Sequence, residues 1–128
     1  MRAELVVTQH AGLVAYLLEQ GLITKDTPIL EHATAKDVHG KHVIGVLPMH
    51  LAAAASTVTE IPMALTPEDR GLDLPVERVR QIAGPPVTYL TFTQSAYEGW
   101  VRSLQTRSFH DGVAAAKERL LNTAFGDL

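Results

Sequence analysis

Apolar and polar positions along this chain switch between short runs and a helical period, and the switching predicts an order of elements. Leu5-Val6-Val7 is an apolar run that stops at Thr8-Gln9-His10, and a helical pattern begins near Gly12. Leu13, Tyr16 and Leu17, joined by Ala15 and Leu18, supply the i, i+3, i+4 spacing, and Gly21 stands where a left-handed residue ends a helix. Pro28-Ile29-Leu30 reads as a short second strand after the Lys25-Asp26-Thr27 turn. His39-Gly40-Lys41 is a turn signal, and the β-branched run His42 to Leu47 reads as a buried strand stopped by Pro48. Pro48 suits the first turn of a helix because its missing N–H would be unpaired there, and the Leu51-Ala52-Ala53-Ala54-Ala55 run continues that helix.

Thr59 to Met63 reads as another strand, with Pro62 marking an edge, a bulge or its end. Thr66 to Pro75 has the turn formers and charges of an exposed loop. Val76, Val79 and Ile82 then share one face of a short helix, and Gly84-Pro85-Pro86 closes it. Val87 to Thr93 alternates as a strand. The order to this point is βαββαβαβ. Beyond it, residues 95–104 and 113–121 predict two helices broken near Ser108 to Gly112. Strands alternating with helices argue an α/β domain with a largely parallel sheet flanked by helices, because parallel neighbours need crossover connections. The expected organisation is one domain over 1–93 and a helical extension over 94–128, packed on that domain or on a dimer partner.

Composition narrows the function. At 128 residues with 46% hydrophobic content the chain is the size of one domain, and extensive disorder is excluded. The net charge of −3 provides no polybasic field for duplex nucleic acid or an anionic membrane. A phosphate-bearing partner would need a local site. With no cysteine, disulfide frameworks, thiolate zinc sites and cysteine nucleophiles drop out. No signal-peptide core of ordinary length and no membrane-spanning run occur, so the expectation is a cytoplasmic protein.

In an open parallel sheet, ligands sit outside the carboxyl ends of the strands. That rule selects Thr8-Gln9-His10-Ala11-Gly12 and Leu47-Pro48-Met49-His50, each followed by a helix whose first N–H groups can receive a phosphate. Each histidine could equally cap its helix or face solvent. Arg70, beside Gly71 on the loop, could offer a planar fork to a phosphodiester, or pair with Glu68 or Asp69. His39-x-x-His42 is the closest histidine pair, but no Asp, Glu or Cys completes a ligand motif with it, so no metal and no cofactor are expected. No G-x-G-x-x-G, Walker A, G-x-S-x-G or H-E-x-x-H sequence is present, which disfavours dinucleotide oxidoreductases, ATPases, esterases and zincins.

Three segments together resemble a known family. Val6-Val7-Thr8-Gln9-His10-Ala11-Gly12, then Gly40 to Ala53 with Gly45-Val46-Leu47-Pro48-Met49-His50 at its centre, and Arg70-Gly71-Leu72-Asp73-Leu74 are similar to the Csx-sixteen family of small CRISPR-associated accessory proteins, over about residues 4–92. The resemblance implies a Rossmann-like domain akin to the CARF nucleotide sensors of type III CRISPR systems, and ring nuclease activity on cyclic oligoadenylate, cyclic tetraadenylate above all. It implies catalytic roles for His10, His50 and Arg70, with Thr8, Gln9, Gly12, Gly45, Pro48, Met49 and Gly71 around the ligand. Gln9 stands where the family usually carries arginine, and His50 where asparagine is common.

The chemistry implied needs no metal in principle. In a 3′,5′-linked ribonucleotide ring each 2′-hydroxyl neighbours a scissile phosphate, and a protein need only hold it in line, stabilise phosphoryl charge and move protons. Histidine suits proton transfer near neutrality. Thr8 and Gln9 would orient ribose or phosphate, Gly12 would admit a close backbone approach, and Arg70 would clamp the ring. A ring is large for one small crevice, so a two-fold homodimer is the expected host. A non-catalytic sponge for the ring, and a regulatory protein-interaction module, are the competing expectations.

Overall fold

The computed structural model describes residues 2–103. The chain divides into two compact units, Met1–Thr91 and Phe92–Leu128. The first unit is a mixed α/β domain. Strands β1 (Leu5–Val7), β2 (Ile29–Leu30), β3 (His42–Gly45), β4 (Thr57–Glu60) and β5 (Val87–Tyr89) alternate with helices α1 (Ala11–Glu19), α2 (Ala35–Val38), α3 (Met49–Ala54) and α4 (Val76–Ile82). The five strands form one sheet in the order β2-β1-β3-β4-β5. The first four are parallel, and β5 runs antiparallel to β4, where Thr59 and Thr88 join their hydroxyls across the strands at 2.8 Å. In the second unit α5 spans Gln94–Ser103, where the sequence predicts a helix, and Tyr97 and Trp100 one turn apart bring their ring centroids to 6.3 Å. The expected helix over 113–121 lies outside the described residues.

Strand side chains alternate between faces, so consecutive residues supply opposite cores. Val6 and Ile44 enter one core with Leu13 and Leu17 of α1 and Val79 of α4. Leu5, Val43 and Val58 enter the other with Val38 of α2 and Leu51 of α3. Both faces of the central strands β1 and β3 are therefore covered, which is why Leu5-Val6-Val7 and Val43-Ile44 read as continuous apolar runs rather than alternating ones. On the α1 and α4 face, Arg80 and Glu19 add an ion pair between the helices.

Strand order carries the functional consequence. From β1 the chain winds outward to β2, then returns past β1 to place β3 on its other side. The winding reverses between β1 and β3, and the crevice outside their carboxyl ends is where such sheets receive ligands.

Three expectations change. Between β2 and β3 the chain makes α2, whose Thr34 Oγ1 accepts from the Asp37 N–H while the Asp37 carboxylate accepts from the Thr34 N–H. A four-residue helix has too little length to show a period, and the Thr34-x-x-Asp37 capping signal is its only trace in the sequence. The strand expected at Thr59–Met63 is instead Thr57–Glu60, because Pro62 cannot donate to a ladder. Met63 makes an isolated antiparallel bridge to Ala83. The strands expected to reach Leu47 and Thr93 end at Gly45 and Tyr89.

Candidate functional site

A cleft opens at the carboxyl ends of β1 and β3, on the side of the sheet covered by α1 and α4. Its larger lobe, about 450 Å³, is bounded by Thr8, Gln9 and His10 after β1, by Glu31 after β2, and by Gly45 and Val46 at the end of β3. A smaller lobe of about 220 Å³ lies against the 65–74 loop and is lined by Arg70, Gly71, Leu72 and Leu74. His10, Leu13 and Met63 line both lobes and stand where the two meet.

His10 occupies the N-cap position of α1 in extended backbone, and its side chain makes no capping hydrogen bond. Its N–H is donated to the Thr8 hydroxyl at 3.2 Å, which fixes the turn from strand to helix. Its ring stays available, more than half exposed, with Nδ1 3.7 Å from Asp73 Oδ1. That separation is longer than a hydrogen bond, and an exposed pair of this kind adds little stability. The first turn of α1 carries no acidic residue, so no carboxylate of the helix itself competes for its free N–H groups.

Arg70 reaches the cleft because the loop around it is anchored by a different pair. Asp69 is only 8% exposed. Its carboxylate accepts from Arg78 Nε and Nη2 at 2.9 and 2.8 Å, and from the Thr66 N–H and hydroxyl at 2.8 and 2.9 Å. Both of its oxygens are engaged by these partners, and Arg70 makes no ion pair among the described residues. The expectation that Arg70 could pair with Asp69 is thereby settled: Arg78, on α4, holds that carboxylate in a bidentate grip.

The Arg78 hydrogen bonds, then the Thr66 backbone N–H, hold the Asp69 carboxyl well below the usual carboxylate range. A depressed carboxyl means the unfolded chain takes up protons first. The stability from this pair is therefore complete at neutral pH and is lost as pH falls below about 4 towards the folded value. Asp69→Asn is expected to lower the melting temperature near neutrality by on the order of 5 °C. The gap from the parent chain should close as the solution is acidified. Thermal melts across that range check it, and a gap independent of pH would assign the loss to something other than this carboxylate.

The remaining candidates divide. Thr8, Gln9, Gly45, Arg70 and Gly71 join His10 around the cleft. His50 does not: it is exposed in the first turn of α3 and lines neither lobe. Pro48 is the N-cap of α3 and lies outside both lobes. Met49 lines a separate hollow of about 160 Å³ with Val46 and Tyr89. Gly12 is needed for another reason than ligand approach. A Cβ there would overlap the Leu74 carbonyl oxygen, so this glycine lets α1 sit against the loop that bears Arg70. Gly45 has φ +151° and faces the Val7 carbonyl, and Gly71 has φ +77° in the loop.

Glu31 was missed by sequence reasoning, although a carboxylate directly after the second strand of a strand-helix-strand unit is a recognisable ribose-hydroxyl acceptor. It lines the larger lobe without a hydrogen bond or ion pair of its own among the described residues. His42 is the first residue of β3, at the end of the strand away from the cleft, where Nδ1 is 2.7 Å from the Thr57 hydroxyl. No group of three or more potential metal ligands occurs among the described residues, and no helix among them is long and apolar enough to cross a membrane.

A family model described as "Putative CRISPR-associated protein (Cas_VVA1548)" matches residues 5–90, which contain every element of the sheet and the whole cleft. No curated protein and no solved structure matches the chain.

Proposed function

The chain belongs to that CRISPR-associated family, and from this premise we propose that it is a ring nuclease that binds cyclic oligoadenylate in the cleft and opens it, switching off type III CRISPR signalling. One observation carries the reading. The three segments that resemble the Csx-sixteen family, distant in sequence, each send residues to one crevice at the point where the sheet's winding reverses, with His10 lining both of its lobes.

The chemistry follows from the groups at hand. The 2′-oxygen of one nucleotide attacks the adjacent phosphorus, the bond from phosphorus to the 5′-oxygen breaks, and a 2′,3′-cyclic phosphate is left on the opened strand. The 2′-hydroxyl gives up a proton and the 5′-oxygen gains one. Glu31 and His10, the carboxylate and the imidazole of the larger lobe, can divide those two transfers. N–H groups at the start of α1 and the Arg70 guanidinium stabilise charge on the phosphoryl oxygens. Thr8 and Gln9 orient the sugar and phosphate, and Gln9 brings no charge of its own. A ring of nucleotides extends beyond one cleft of this size, and a two-fold pair of chains supplies the second.

The test is incubation of the purified chain with cyclic tetraadenylate in the presence of EDTA. Linear products ending in 2′,3′-cyclic phosphate are expected. Intact ring after prolonged incubation with excess protein removes the enzyme reading, and tight binding without product makes the chain a sponge for the ring. Neither outcome requires His50, whose replacement by alanine is expected to leave turnover within about twofold, as for an exposed residue away from the chemistry.

A further inference from the structure

The two lobes of the cleft share apolar walls and differ in their polar groups. The larger carries hydroxyl, amide, imidazole and carboxylate groups beside apolar side chains such as Ile44 and Ile61. The smaller, beside His10, Asp69 and Arg70, is walled by Leu13, Met63, Leu65, Leu72, Leu74 and Val79. We propose that this apolar lobe is a nucleobase pocket: it receives the flat ring of the nucleotide whose ribose and phosphate occupy the polar lobe. The proposal rests on reading the cleft as a nucleotide site.

Size, polarity and continuity select that occupant. At about 220 Å³ the lobe is below the roughly 300–1,000 Å³ of pockets that hold a whole small molecule, whereas the polar lobe falls within that range. It is therefore suited to one ring system, not to a complete nucleotide. Its only carboxylate, Asp69, has both oxygens hydrogen-bonded, to Arg78 and to Thr66, so that charge is already paired. A phosphate finds no counter-charge there except Arg70 at the loop.

The exposed leucines point the same way. Leu65 and Leu72 flank an otherwise polar loop and remain 46% and 60% exposed, an arrangement that leaves apolar surface in water until something flat covers it. Arg70 sits between them in sequence, and a guanidinium plane stacks on a base as readily as it pairs with a phosphate. Because His10, Leu13 and Met63 line both lobes, a base in one and its own ribose in the other need only a single glycosidic bond between them.

Adenosine 5′-monophosphate and ribose 5-phosphate, in which an anomeric hydroxyl replaces the base, test this directly. Titrated into the full chain by calorimetry or amide chemical shifts, the nucleotide is expected to bind about tenfold more tightly, the low end of what one stacked base contributes. Leu72→Ser should abolish that advantage and leave the affinity for ribose 5-phosphate unchanged. Leu72 is exposed enough that the fold should tolerate the change, and Leu65→Ser provides a second variant with the same expected result. Equal affinity for the two ligands overturns the pocket, as does failure of the nucleotide to bind or an advantage that survives both substitutions. The wider reading is judged separately. A ring that is cleaved while the two monophosphates bind alike leaves the nuclease standing without this pocket. A ring neither bound nor cut removes the nuclease, and the pocket then stands or falls on the monophosphates.

Discussion

Replacing Gly12 by alanine is expected to cost the fold roughly 1–3 kcal/mol or more, even though alanine is the better helix former. Two effects oppose each other. In a helix interior, alanine is favoured over glycine by about 1 kcal/mol, and Gly12 is the second residue of α1. Against that, its Cβ would overlap the carbonyl oxygen of Leu74 and press on the Pro75 carbonyl carbon. The obstruction is backbone, not the far end of a flexible side chain, so it cannot rotate away. Relief requires α1 to separate from the segment that enters α4, and that opens the core where Leu13 and Leu17 meet Val79. Urea unfolding should show a lower midpoint at an unchanged slope. Because Leu74 continues the loop that carries Arg70, ligand affinity should fall along with stability. A midpoint at or above that of the parent chain would show that the loop yields freely, and its anchoring by Asp69 would then need another account.

That effect shows where the sequence was legible and where it was not. Leu5 and Val6, adjacent in sequence, were readable as part of a strand, and the alternation rule alone sends them to opposite cores, as found. Leu13, Leu17, Val79 and Ile82 were readable from spacing as buried helix positions, and each is buried. What a period cannot carry is a contact between distant segments. Gly12 looked like an opening for a ligand because nothing in its neighbourhood names Leu74 as the group it must admit. Asp69 looked like a partner for Arg70 because they are adjacent, whereas the sheet and α4 bring Arg78 to it with better geometry. Glu31 belongs to the cleft only once β2 is known to lie beside β1. His50 was placed beside His10 by the rule of strand ends. That rule fixes the edge of the sheet, not the direction of a side chain one turn into a helix.

His10→Ala is expected to slow single-turnover opening of cyclic tetraadenylate by about 100–10,000-fold, the range for losing one positioned proton-transfer group, while changing ring affinity only a few-fold. Affinity should persist because the N–H groups of α1 and the Arg70 side chain do not depend on the imidazole. The objection to any such result is that an N-cap residue also shapes its helix. The structure supplies the control. His10 makes no side-chain cap hydrogen bond, and its extended backbone is open to any residue. Asparagine is among the best N-caps, so His10→Asn should keep or slightly raise stability by satisfying a free N–H of the first turn. It cannot relay a proton as imidazole does. A variant as stable as the parent, still binding the ring and slow to open it, separates chemistry from folding. Asp73→Asn should slow the reaction only a few-fold, since an exposed pair at 3.7 Å holds the ring weakly. If His10→Asn opened the ring at the parent rate, the proton transfers would have to be reassigned, with Glu31 the first residue to test. If rate and affinity fell together by the same factor, His10 would be a binding residue, and the cleft would hold the ring by its centre without supplying the acid or the base.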